Sequence, residues 1–92
     1  MRDDDFEWDD LKAAGNFAKH GVSFGMARDV FADEYAIEMF DHTPETFETR
    51  FKSIGSVQGR ILAVSFTVRG DLIRIISARL ATASERRRYH EA

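Results

Sequence analysis

"RILAVSFTV" (60–68) and "LIRIISARL" (72–80) flank a short "RGD" (69–71). The reading of this stretch decides the fold. Both runs are rich in β-branched residues, which suit a pleated, half-buried surface. The segment between them predicts a tight hairpin with Gly70–Asp71 as a two-residue loop. In that register Thr67 faces Arg74, and Val68 faces Ile73. One face then carries Leu62, Val64, Phe66, Val68, Ile73 and Ile75, the expected core, and its parity ends in Ser77 and Arg79. The other face carries Ser65, Thr67, Arg69 and Arg74. A one-residue slip turns a strand over, so a bulge would exchange these assignments.

Upstream, "FETRFKSIG" (47–55) alternates at its start. Phe47, Thr49 and Phe51 face one way, and Glu48, Arg50 and Lys52 the other. "SVQG" (56–59) reads as a turn, "YAIEMF" (35–40) as a strand, and "DHTPE" (41–45) as a loop marked by the only proline. "FEWD" (6–9) is a short strand. A helix follows from Leu11, with Asp9 or Asp10 as N-cap. Leu11, Ala14, Phe17 and Ala18 share its apolar face. Gly21 is a natural residue just past its end. Ser23 caps a second helix with Phe24, Ala27, Val30 and Phe31 on one face. "TASE" (82–85) matches a capping box, Thr82 with Glu85, opening a final helix, "SERRRYHEA". The order β-α-α-β-β-β-β-α predicts an α+β fold: a small antiparallel sheet with two N-terminal helices and one C-terminal helix packed on it. Residues 1–92 form a single domain, with 1–5 expected to fray.

The chain has 92 residues, 43% of them apolar, with eight Phe. That suits one small domain with a real core. It has no cysteine, which excludes disulfides, thiolate nucleophiles and Cys-ligated zinc. No apolar run reaches the roughly 20 residues of a membrane span. The acidic start "MRDDDFEW" is no signal peptide, so a cytoplasmic location is expected. The net charge of −3 hides a segregation. Residues 1–48 carry a net −9 and residues 60–90 a net +5. A basic half can meet phosphates, or the two halves can pair with each other as the fold closes.

Most catalytic signatures are absent. There is no phosphate-cradling glycine loop and no serine-nucleophile motif. His20, His42 and His90 lack metal-ligand spacing, so neither metal nor cofactor is expected. Arginine, histidine, threonine and tyrosine around a small sheet suit one reaction: RNA cleavage through the substrate's own 2′-hydroxyl. Arginine forks orient the phosphate and stabilise the added charge of the pentacovalent transition state. Histidine can move protons near neutrality.

"FEWDDLKAAGNFAKHGVSFGMARDVFAD", "RFKSIG" and "RILAVSFTVRGDLIRIISARLATASERRRY" follow in order across nearly the whole chain. Together they closely resemble the BrnT toxins, the ribonuclease halves of BrnT/BrnA type II toxin–antitoxin pairs. One local departure is Phe66, where a Tyr is common. The resemblance implies a RelE-like fold and a metal-independent endoribonuclease that inhibits translation and growth. It also implies neutralisation by a small DNA-binding antitoxin, BrnA-like, in a hetero-oligomer that binds operator DNA. A catalytically inactive toxin-like partner-binding or nucleic-acid-binding module is the alternative.

With the resemblance, His20, Arg69 and Arg79 are the candidate catalytic residues. Lys19, Thr67, Arg74 and Tyr89 are the candidate substrate-binding ones. Each has a plainer reading. Lys19 and His20, in the last turn of the first helix, suit its dipole. Arg79 can pair with an N-terminal acid such as Glu7 or Asp9. Arg69 can be a solvated hairpin tip, and Arg74, opposite Thr67, can cover an exposed sheet face. Tyr89 can be core, Trp8 is read as core, and "RRR" (86–88) is a solvated helix face. If His20 and Arg79 serve one phosphate, they must lie near each other.

Overall fold

A computed structural model describes residues 1–41 and 48–92. Most of the expected loop at 41–45, with His42, lies outside the described residues, as does Phe47. The elements are β1 (Phe6–Glu7), α1 (Asp10–His20), α2 (Phe24–Arg28) running into a 3-10 turn (Asp29–Ala32), β2 (Ile37–Phe40), β3 (Phe51–Val57), β4 (Arg60–Arg69), β5 (Leu72–Leu80) and α3 (Ala83–Glu91). The α+β class and the element order are as read from the sequence. The strands form one sheet in the order β1-β5-β4-β3-β2. β2 to β5 are antiparallel neighbours. The expected all-antiparallel sheet needs one correction: β1 lies parallel to β5, with Phe6 beside Ile73 and Glu7 beside Arg74. Two helices separate β1 from the later strands, so no hairpin fixes its direction.

Turn chemistry sets the two hairpins. β3 continues through Val57, so the turn is only Gln58–Gly59, with positive φ at both (51° and 80°). That is the backbone of a type I′ turn, which matches the strand twist. The second loop is Gly70–Asp71 as expected, with Gly70 at φ 59°. The pairs Thr67–Arg74 and Val68–Ile73 also hold. Beyond them the register breaks. Phe66 pairs with Ile75, but Ser65 pairs with Ser77, Val64 with Ala78 and Ala63 with Arg79. Ile76 is the extra residue of a β-bulge. Ser77 and Arg79 therefore leave the parity of Ile75, and Ala78 takes the core position. The expected placement of Arg79 on the core side is overturned for that reason. Val68, expected in the core, is 52% exposed beside the turn.

Helices cover both sheet faces. One face packs on α1 and α2 through Phe6, Val22, Phe24, Ala27, Val30, Val57, Leu62, Val64, Ile75 and Ala78. Trp8 joins it, edge-on to Phe24 at 5.9 Å. The 3-10 turn approaches so closely that a Cβ on Gly55 would lie 2.8 Å from Val30 Cγ1. The other face buries Ile54, Ala63 and Ala81, with Ile37, Met39, Ile61 and Tyr89 against them. α3 enters through the expected capping box of Thr82 and Glu85.

Helix α1 is turned the other way from its expected orientation. Leu11 is 86% exposed and Phe17 58%, and Ala14 and Ala18 are exposed too. The buried residue is Asn16. Its amide donates to the carbonyls of Val22 (2.9 Å) and Ala78 (2.8 Å), and its carbonyl accepts from the Ala78 N–H (3.1 Å). Three hydrogen bonds to backbone therefore fix the inner face. Periodicity marks an apolar stripe but does not say which side meets the sheet. Residues 1–5, expected to fray, here make several contacts. The Met1 ammonium donates to the Trp8 carbonyl (2.9 Å), and Asp3 pairs with Arg28 (2.9 Å).

Candidate active site on the sheet face beneath helix α3

The bulge in β5 puts Arg79 on the face that α3 partly covers. There its guanidinium grips Glu85: Nη1 to Oε1 at 2.7 Å and Nη2 to Oε2 at 3.1 Å. Lys52 Nζ, two strands away on β3, meets Oε2 of the same carboxylate at 2.6 Å. The Thr82 N–H donates to Oε1 at 2.8 Å. One carboxylate is thus shared by two cations. Glu85 is 7% exposed and stays ionised. The Arg79 fork, then Lys52 and the Thr82 N–H, outweigh its burial and hold its pKa far below the usual range. The same fork pushes Arg79 upward. Ser65 and Ser77 face each other beside the pair and are half-buried. Ser65 Oγ donates to Asp41 Oδ2 at 3.1 Å. Arg74 lies further along this face, its Nη1 3.6 Å from Glu7 Oε1.

The candidate residues do not all converge. Arg79 and Arg74 share this face. Thr67 shares it too, but is buried and donates to the Thr49 carbonyl at 2.7 Å, so its hydroxyl ties β4 to the chain before β3. Arg69 sits at the hairpin end, more than half exposed, with Nη2 3.2 Å from Glu48 Oε1. Tyr89 anchors α3: its hydroxyl donates to Asp33 Oδ2 at 2.6 Å, which pushes its pKa up to about 12. Lys19 and His20 are exposed at the end of α1. That helix packs over Ala78, on the face opposite Arg79. No hydrogen bond, ion pair or ring contact joins His20 to Arg79 among the described residues.

The plainer reading of Arg79 also changes. Its partner is Glu85 of α3, not Glu7 or Asp9. Lys52, Ser65, Ser77 and Glu85 were not singled out from the sequence. The available signal is the alternation that puts Lys52 on one face with Glu48 and Arg50. Glu85 showed only its capping role. Among the described residues no group of three or more His, Asp or Glu could hold a metal ion, and no helix is long and apolar enough to cross a membrane.

Chemically, Glu85 holds two cations side by side, and Asp41, which accepts from Ser65 and acts on Arg79, balances their charge, so what the cluster offers is oriented donors beside two half-buried hydroxyls. Arg79 keeps an Nε–H and an Nη2–H beyond the bonds described. Such an arrangement can take a phosphate. A comparison with curated proteins finds no match. Residues 8–85 match a family described as "Ribonuclease toxin, BrnT, of type II toxin-antitoxin system". The match spans most of the chain and includes the Arg79–Glu85 pair; the chain belongs to the BrnT family of ribonuclease toxins of type II toxin–antitoxin systems.

Proposed function

We propose that this toxin cleaves RNA without a metal ion, at the sheet face that carries Arg79 and Lys52. The observation behind this reading is the single buried carboxylate, Glu85, that holds both cations in place. A phosphate there would meet a rigid fork and an ammonium, and their positions are fixed before substrate arrives. The substrate's 2′-oxygen attacks the adjacent phosphorus and loses its proton. The 5′-oxygen leaves and gains one. The products are a 2′,3′-cyclic phosphate and a 5′-hydroxyl. Arg79 and Lys52 stabilise the extra negative charge on the phosphoryl oxygens, and Arg74 extends the cationic track. His20 takes no part at this face. A small DNA-binding antitoxin neutralises the toxin in the cytoplasm, and their complex binds operator DNA.

The test is cleavage of a defined RNA by the purified chain in EDTA, with the product ends mapped. Cyclic phosphate and 5′-hydroxyl ends are expected. Lys52→Ala should lower the rate on the order of 10²–10³-fold, as for other charge stabilisers, and His20→Ala should leave it within about threefold. Strict dependence on Mg²⁺, or 5′-phosphate ends, would sink the mechanism. Loss of activity in His20→Ala alone would move the site to the end of α1.

A further inference from the structure

The outer face of α1 has no partner among the described residues. Leu11, Ala14, Phe17 and Ala18 form an apolar stripe on the side of the helix away from Asn16. The two large residues are 86% and 58% exposed. A short helix that turns its best apolar stripe outward marks an interaction surface. The small side chains between Leu11 and Phe17 let another backbone come close. Lys12 and Lys19, seven positions apart, run along one edge of the stripe. Neither forms a salt bridge among the described residues.

That edge selects the occupant. In a two-fold antiparallel pairing of α1 with a second copy, the lysine edge would meet itself, and like charges would face each other. A different chain can instead bring carboxylates to it. We infer that the outer face of α1 is a docking site for an amphipathic helix of the antitoxin, with large apolar residues against Leu11 and Phe17 and Asp or Glu beside Lys12 and Lys19. The inference rests on the toxin–antitoxin reading above but not on the RNA site. α1 packs on the sheet face opposite Arg79 and Lys52. Binding here leaves the cations uncovered by this helix, so neutralisation needs a further segment of the antitoxin, and this face supplies affinity.

The experiment uses the full chain and the antitoxin that co-purifies with it, with affinity measured by calorimetry. The Leu11→Asp/Phe17→Asp double variant should melt within a few degrees of the native chain, since both positions are exposed. It should bind the antitoxin at least 100-fold more weakly and should still arrest growth when the two are co-expressed. Lys12→Glu should weaken binding about tenfold. An unchanged affinity in the double variant overturns the inference, as does failure of the native pair to form a complex. A double variant that only splits a dimer of the chain, with antitoxin affinity intact, also overturns it by making this a self-association face. A chain that never cleaves RNA, yet loses the antitoxin on these substitutions, would refute the proposed catalytic face and leave this surface standing.

Discussion

Arg79 serves Glu85 as much as any substrate. Its fork supplies two of the bonds that keep a carboxylate only 7% exposed ionised. Arg79→Ala therefore affects the fold as well as the site. Lys52 and the Thr82 N–H remain, and the Arg79 side chain is 38% exposed, so solvent screens part of the loss. A cost of about 1–2 kcal/mol follows, or a fall in Tm of roughly 5–15 °C for a domain of this size. Arg79→Lys keeps a charge beside Glu85 and should cost less. It removes the planar fork, which a point charge does not replace, so cleavage should still fall on the order of 10²-fold. Thermal melts and single-turnover cleavage, taken well below both melting points, separate the two effects. An Arg79→Lys variant that cleaves at the native rate would show that the fork is not used.

Helix α1 shows how an element can be placed by polar groups. Asn16 satisfies the Ala78 N–H, the Ala78 carbonyl and the Val22 carbonyl. Asn16→Ala leaves buried backbone groups unpaired and should cost about 2–3 kcal/mol, lowering Tm by more than roughly 8 °C. Leu11→Ala, on the apolar stripe of the same helix, should stay within about 0.5 kcal/mol. The reverse order in thermal melts would mean that α1 sits with its stripe against the sheet. The same helix marks a limit of sequence reading. Its start, its end and its stripe follow from caps and period, but its rotation depends on one amide reaching a strand 62 positions away. β5 marks a second limit. The hairpin loop fixes the pairs from Arg69–Leu72 to Phe66–Ile75, and the sequence is enough for those. Nothing local signals the extra residue at Ile76, because "IIS" fits a regular strand equally well. That single insertion moves Arg79 to the other face, where it meets Glu85, the carboxylate it shares with Lys52. The arginine was legible as a candidate, whereas its neighbours depend on the bulge.

Across the described residues part of the segregated charge pairs between the two halves of the chain. Glu7 meets Arg74 and Glu48 meets Arg69, each joining the acidic half to the basic one, while Asp3 meets Arg28 within the first half. Several carboxylates are held below their ordinary values of 3.8 for Asp and 4.5 for Glu. Backbone N–H groups of Asp5 and Phe6 act on Asp3, and that of Lys12 on Asp9. At Asp33 burial works the other way and is outweighed by the Ser56 N–H, the Tyr89 hydroxyl and the Tyr35 N–H. Arg69 acts on Glu48, and Arg79 most strongly on Glu85. For each, the folded pKa lies below the unfolded one. As pH falls, the unfolded chain takes up protons first, so their stabilisation is present above the unfolded value and lost below it. Urea melts should therefore give a nearly constant unfolding free energy from pH 7 to about 5. Below about pH 4.5 it should fall progressively as the unfolded chain takes up protons ahead of the folded one. Glu85 has the deepest shift, so its share should persist to the lowest pH. Glu85→Gln removes that titration and takes from Arg79 and Lys52 the carboxylate they share. It should be less stable than the native chain at pH 7 and fall less steeply in acid, so the two curves converge. An identical acid slope in the variant would mean that Glu85 is not ionised in the fold, and that its two cations are held some other way.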